Sequence, residues 1–427
     1  TGEEGEAKGL SLFMVDKREL DSSSYYNLPK ILTHGIRGSD MSGIGFSDCF
    51  VPDSMLLLKE GDGLELGLKG FQITRTFCAA FSLGAADTAL KTTLNFALKR
   101  VVYNKTVWDI PQPRKVLTDA FLDILISDCE TIGAARGFSV VPQQFSVWAA
   151  VVKYFVTAQL EKMINDVYVV LGSRFYMRDE HDYGIFQKIL RDNSIISMFD
   201  GSTVVNLHAI ILQLRQLTKT RQRRKSKTME EIASRLETIF SLAKPAPSFE
   251  PEKLELFGRG ADDPLQGLEI ALSQLEELTK NPEVNPEMLE KLTYLGNLVL
   301  EELNAHDEAI AQSKFEFGHE QSPELFEIAK KYCTLHAAAC CLHMWIYNRE
   351  LLGDFFAKGE WLVLSIHRLL RTIRPMPYTI SETYSENVAN ELVKLHQANK
   401  LFSIVPIQLA QSITNKQEDK LNELIRI

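Results

Sequence analysis

The chain has 427 residues, 45% of them hydrophobic and 24% charged. Those proportions belong to folded globular proteins and exclude disordered or fibrous ones, and the length predicts two or three domains. A formal net charge of −9 excludes a chain held to nucleic acid mainly by phosphate contacts. The longest apolar run, residues 148–158, is broken by Lys153 and is too short to span a bilayer, so no membrane span is expected. The opening TGEEGEAKG has neither the basic nor the apolar segment of a secretory leader. Six cysteines, Cys49, Cys78, Cys129, Cys333, Cys340 and Cys341, form no CxxC pair. They read as reduced thiols in a cytoplasmic protein.

Residues 1–70 carry most of the strand pattern, in the runs 9–15 (GLSLFMV) and 44–51 (IGFSDCFV). Gly35, Gly38, Gly43 and Gly45 punctuate them as turns or bulges do, which suggests part of a β-sandwich or barrel. From residue 72 the period becomes helical. One helix is predicted over 74–100, with Ala79, Leu83, Ala86, Leu90, Leu94 and Ala97 on one stripe. Others follow over 116–136 and 147–171, and a fourth starts near Thr203; four long helices predict an antiparallel bundle. The basic stretch TRQRRKSK, 220–227, reads as a solvated linker or helix end. An amphipathic helix over 229–243 and the breaker PAPSFEPEK, 245–253, come next. Helical patterns over 265–279, 285–303, 323–352, 361–372 and 387–396 predict a separate all-α module. The expected fold class is mainly α with a small β portion.

Cys333, His336, Cys340 and His343 share one face of the 323–352 helix. Four donors strung along about 15 Å of one helix cannot meet at a single ion. With Ala337, Ala338 and Ala339 between them, they predict a buried packing face, and no metal site is expected. His181 and His208 carry no partner pattern.

The informative motifs are dispersed. Gly35-Ile36-Arg37-Gly38-Ser39-Asp40 and the segment 44–52 come first. Thr74-Arg75-Thr76-Phe77-Cys78-Ala79-Ala80 and Arg100-Val101-Val102-Tyr103-Asn104-Lys105 follow. Leu190-Arg191-Asp192 and Phe199-Asp200-Gly201-Ser202-Thr203 close the set. In this order and spacing, over residues 9–216, the chain resembles the acyl-CoA dehydrogenase family of flavoenzymes. The resemblance implies that 1–70 is the second half of that family's β domain and 71–220 its four-helix bundle. Residues 221–260 then form a linker with one helix, and 261–427 an accessory all-α module. The family's N-terminal helical domain and first half-β domain have no counterpart in this sequence.

The family's catalytic carboxylate is a Glu, and the matching position holds Asp200. A carboxylate in a closed apolar site is poorly solvated and becomes a stronger base. Asp is one methylene shorter, and nitroalkane oxidases of the same fold also use an Asp base. The pattern Asp-Gly-Ser-Thr ahead of an apolar helix is equally a helix N-cap. The resemblance further implies substrate contacts at Thr74, Arg75 and Gly201. It implies flavin contacts at Arg100, Tyr103, Gln112, Gly172, Ser202 and Thr203, with Leu171 crowding one of them. Arg191 and Asp192 are expected to pair, holding the loop before Asp200, and residues 177–184 stand as an insertion.

The implied activity is FAD-dependent dehydrogenation of an acyl-CoA or acyl-carrier-protein thioester. The partners implied are an electron-transfer protein or oxygen, a second copy in a homodimer or homotetramer, and a second chain supplying the N-terminal half. The alternatives are a non-catalytic or half-site partner subunit and a nitroalkane-oxidase-like flavin oxidase.

Overall fold

In a computed structural model of the chain, residues 8–178, 181–223, 226–314 and 321–410 are described. Strand structure is slight. β1 (Tyr25–Asn27) pairs antiparallel with β2 (Ile44–Phe46), Tyr25 opposite Phe46. The run 9–15 contributes a single bridge, Phe13 to Leu56. Tyr26, Ile44 and Phe46 remain exposed, because among the described residues no second layer covers them. A two-stranded ribbon without an apolar partner stays short.

The first helix, α1 (Gly63–Lys99), starts well ahead of the predicted Thr74. Gly63 donates its N–H to the Leu10 carbonyl, and a Cβ there would lie 2.7 Å from Ser11 backbone. A hairpin follows, β3 (Val101–Val102) with β4 (Lys105–Thr106). Its turn residues Tyr103 and Asn104 both have positive φ, 53° and 60°. That is the two-residue turn matching strand twist, and Asn suits it. α2 (Pro111–Val140) opens on a proline at its first turn, where the missing N–H costs nothing.

α3 (Phe145–Leu171) is the hub: Trp148, Ala149, Ala150, Val151 and Val152 are all fully buried. A helix apolar all round must sit inside, and α3 packs on α1, α2 and α5 (Thr203–Gln222). Between them α4 (His181–Asn193) crosses α1.

The remaining helices are α6 (Ser226–Phe240), α7 (Asp263–Gln266), α8 (Leu268–Leu278) and α9 (Pro286–Gln312). α10 (Pro323–Asn348), α11 (Asp354–Ala357), α12 (Glu360–Leu370) and α13 (Glu382–Gln397) complete them. They do not stand apart as expected. α10 packs on α2, α3 and α5 of the bundle and on α9 and α12 of its own end, within one continuous core.

Buried polar ties reinforce this junction. Arg221 and Thr218 of α5 hold Asp307 of α9. Arg368 of α12 spans Asp119 and Asp123 of α2. Ser403 Oγ and the Ile404 N–H both donate to Asp128. Arg221, expected in a solvated linker, is therefore buried at the junction, while residues 224–225 lie outside the described residues. Among the described residues no helix is long and apolar enough to cross a membrane.

Candidate active site

The site forms where the segment before α5 crosses the start of the bundle. Asp200 and Gly201 both have positive φ, 55° and 100°. Backbone in that region is strained for a side-chain-bearing residue and persists where its surroundings hold it. Three neighbours do so. Arg75 of α1, buried, donates Nε–H to the Asp200 carbonyl at 3.0 Å. Asn206 donates Nδ2–H to the carbonyls of Gly201 (2.7 Å) and Ser202 (3.0 Å). Lys153 of α3, fully buried, donates to the Ile196 carbonyl, and its ammonium lies 5.1 Å from the Phe199 ring centroid. A Cβ on Gly201 would stand 3.1 Å from the Arg75 guanidinium, so glycine serves both the turn and the close approach.

The Asp200 carboxylate meets Cys78 Sγ at 3.8 Å through Oδ2. Burial pushes the Cys78 thiol up to about 11, with the Lys153 cation opposing and the Asp200 charge adding. Cys78 therefore keeps its proton at neutral pH and is the donor. Burial lowers the pKa of Arg75, against the attraction of Asp200, and burial likewise lowers that of Lys153. Asp200 is not the helix N-cap. That position falls to Ser202, whose hydroxyl makes no capping bond. The first-turn amides of α5 thus lack a side-chain cap, the condition for accepting an anion.

Arg191 and Asp192 do not pair with each other. Arg191 donates to the carbonyl of His34 and to Gln187. Asp192 pairs with Lys188 and accepts the Ile36 N–H at 2.6 Å. Together they seat the Gly35-Ile36 turn on α4, and a Cβ on Gly35 would fall 2.2 Å from the Arg191 carbonyl oxygen.

Of the residues expected at the site, Arg75, Asp200, Gly201, Ser202 and Thr203 gather here. Thr74 is exposed on the same turn of α1, its hydroxyl bonding back to the Phe71 carbonyl at 3.4 Å. Arg100, Tyr103, Gln112 and Gly172 do not join them. From Arg75 to Arg100 the helix rises about 37 Å. Arg174, stacked 5.2 Å over Phe96, places the end of α3 and Gly172 at that far end too. There Arg100, Tyr103 and Gln112 are exposed, and a Cβ on Gly172 (φ 64°) would meet nothing within 4 Å. Leu171 does not crowd this end, because its side chain is buried in the core. Residues 179–180 of the expected insertion lie outside the described residues.

Sequence reasoning missed Lys153 and Cys78 as site residues. A lone lysine interrupting an apolar helix was the available sign of the first, and one turn's spacing from Arg75 that of the second.

Residues 61–214 match the family model "Acyl-CoA dehydrogenase, C-terminal domain". Over these residues the chain is similar to the C-terminal domain of acyl-CoA dehydrogenases. The chain is 28% identical over 130 residues to the mitochondrial isovaleryl-CoA dehydrogenase of Arabidopsis thaliana, covering 30% of this chain and 31% of that protein. It is 24% identical over 210 residues to an acyl-CoA dehydrogenase of Bacillus subtilis (strain 168), covering 46% and 50%. It therefore spans half or less of these curated relatives. An acyl-CoA dehydrogenase from Bacillus anthracis, solved with FAD, shares the fold at TM-score 0.55 and 13% identity, covering 91% of this chain and 65% of that one. The shared fold thus extends past the acyl-CoA dehydrogenase bundle into the C-terminal helices.

The residues present fit the flavin that such enzymes use. The uncapped α5 N-terminus with Ser202 and Thr203, and the open glycine and exposed arginine at the far end, suit phosphate and adenosine groups.

Proposed function

We propose that this chain forms the bundle side of an FAD-dependent acyl-CoA or acyl-carrier-protein dehydrogenase, with Asp200 as the base. The observation that carries the reading is the anchored left-handed Asp200-Gly201 turn, whose carboxylate is backed by Cys78 and whose carbonyl is held by Arg75. FAD, when bound, supplies the acceptor for the hydride leaving the substrate β-carbon. The chain's own work is to hold Asp200 against the α-carbon and take its proton. On this reading the Gly201 N–H would polarise the thioester carbonyl. Buried Arg75 and Lys153 add positive charge around a substrate that gains negative charge as the proton leaves.

Beside this turn the surface is apolar and exposed: Phe77 by 54%, Phe81 by 60% and Val204 by 59%. This face suits coverage by the part of the fold that the present sequence does not span, in the same polypeptide or in a second chain. The far-end residues would serve the flavin of a neighbouring copy in a dimer or tetramer, with an electron-transfer protein as the final acceptor. The six free thiols suit a reducing, cytoplasmic setting.

The test is optical. The full chain, reconstituted with FAD, should show a flavin spectrum that bleaches on adding an acyl thioester. Asp200→Asn should keep the colour and lose the bleaching. A protein that stays colourless with FAD and an N-terminal partner fragment refutes the proposal. The aspartate itself favours one second reading, a nitroalkane-oxidase-like activity, which would instead release peroxide from a nitroalkane and ignore thioesters.

A further inference from the structure

The junction between α2 and α10 encloses a charged cluster with no role in the reaction above. Glu130 of α2 and His336 and Cys340 of α10 are all fully buried. Their donor atoms lie within 4.8 Å of one another. Both oxygens of Glu130 face His336 Nδ1, at 2.9 and 3.0 Å, and Cys340 Sγ is 3.6 Å from the same nitrogen. On the other side of the ring, Nε2 lies 3.3 Å from Asp262 Oδ1, and Tyr332 donates its hydroxyl to Asp262 Oδ2.

Hydrogen bonding within the protein leaves this cluster incomplete. Glu130 Oε1 meets only the His336 nitrogen it shares with Oε2, and His336 Nε2 and Asp262 Oδ1 face each other at 3.3 Å in poor hydrogen-bond geometry, although none of these atoms is reached by solvent. Buried polar atoms without partners are costly and rare. One cation between Glu130, Nδ1 and Sγ completes the set. It takes both carboxylate oxygens and fixes the ring as the tautomer bearing its proton on Nε2. Nε2–H then donates to Asp262. A metal-bound histidine whose outer N–H is held by a carboxylate is the usual supporting arrangement of protein metal sites. Separations of 3.0 and 3.6 Å are those expected between oxygen, nitrogen and sulfur donors sharing an ion at 2.0–2.3 Å.

We propose that Glu130, His336 and Cys340 bind one zinc-like divalent cation, oriented by Asp262 and Tyr332, that staples the C-terminal helices to the bundle. The mixed carboxylate, imidazole and thiolate donor set favours a borderline-soft ion over magnesium or calcium. Cys340 gives up its proton to solvent as the ion enters. Enclosure by Tyr332, and by Trp148 with its ring 5.4 Å from that of His336, means the ion is taken up during folding.

The test uses the full chain, purified without chelator or metal-affinity tag, with metal measured by inorganic mass spectrometry. The expected result is about one zinc per chain, released in step with thiol titration by a mercurial. Cys340→Ala and His336→Gln should each lower the zinc content about tenfold or more. Should a variant fail to fold, cobalt decides on the wild type: refolding with Co2+ should give a thiolate-to-cobalt absorption band. Zinc below about one-tenth per chain together with no cobalt band overturns the proposal and leaves a metal-free cluster with His336 as an imidazolium between two carboxylates. Zinc retained in both folded variants overturns it as well, since the ion would then lie elsewhere.

Discussion

Replacing Arg75 by methionine removes the tie between α1 and the Asp200 turn while keeping a long side chain in the helix. The guanidinium donates to the Asp200 carbonyl at 3.0 Å from a site that is only 8% exposed. A hydrogen bond from a charged donor contributes about 1.5–3 kcal/mol. Holding a non-glycine residue at φ 55° costs on the order of 1 kcal/mol, since Asp tolerates that region better than most. Without the arginine, the turn loses the larger of these two quantities. About 2 kcal/mol corresponds to roughly a thirtyfold rise in the open population of the segment. The Phe199 N–H, bonded to the Ile195 carbonyl at 3.1 Å, reports that opening directly. Its hydrogen exchange should accelerate about 10- to 100-fold in Arg75→Met, while amides in the middle of α3 keep their protection. If Asp200 is the base, the rate of substrate-driven flavin reduction should fall by a comparable factor, because a displacement of about 1 Å costs on the order of a hundredfold. Arg75→Lys, a cation without the fork, should fall between. Unchanged Phe199 exchange in Arg75→Met refutes the anchoring argument whether or not the chain is catalytic.

Burial holds the His343 pKa down to about 4, its Nε2 lying 3.0 Å from the Pro264 carbonyl. Against an unfolded value near 6.5, this group's stabilisation is whole above that pH and is lost as pH falls towards 4, about 3 kcal/mol in all. His343→Gln keeps a donor and should flatten the fall in urea midpoint between neutral and acid pH; equal slopes in both proteins would contradict this. Asp307→Asn removes the carboxylate that accepts from buried Arg221 and Thr218 and should lower the thermal midpoint. A midpoint within about 2 °C of the wild type would remove the pair from the junction's stability. Gly35→Ala forces a methyl to 2.2 Å from the Arg191 carbonyl. It should unseat the Gly35-Ile36 turn from α4 and open the segment 28–43 to limited proteolysis, with the bundle amides still protected.

The bundle was legible because its sequence is periodic. α3, with its unbroken apolar stretch, and α5, opening at Thr203, fall where the pattern placed them. The start of α1 was not, because residues up to 70 were grouped with the strand-patterned segment; a long helix packed along α3 extends through Gly67 and Gly70 on the strength of tertiary contacts. The strands 9–15 and 44–51 were overread. Alternation promises a buried face, and among the described residues nothing covers one. Arg75 and Asp200 could be placed beside each other by resemblance to a family, but not by spacing: they lie 125 residues apart and meet through a backbone carbonyl. The Arg191–Asp192 pairing failed for the opposite reason. Neighbours in sequence on a helix point apart, and each found a partner in the segment folded over it. The single core spanning bundle and C-terminal helices was hidden because the sequence shows that α10 is apolar, not what lies against it.

One group of expected cofactor residues meets α1 at Arg75 and the other lies at its C-terminal end, about 37 Å farther along the helix. A flavin dinucleotide is shorter than that, so no single cofactor can touch both Ser202 and Arg100 of one chain. The two groups share a character. One end has a helix N-terminus with no side-chain cap beside a strained carboxylate turn. The other has a left-handed glycine with open space over it beside an uncovered arginine and a tyrosine 91% exposed in a tight turn. Exposing an aromatic ring at the tip of a hairpin buries nothing within the chain, and a large apolar group so placed gains from contact with another surface. On the proposed reading the far end completes a site whose Asp200 belongs to another copy. The same reasoning makes the exposed phenylalanines beside Asp200 part of the site rather than a defect of the surface. On that reading they are the surface that the part of the fold outside this sequence would cover.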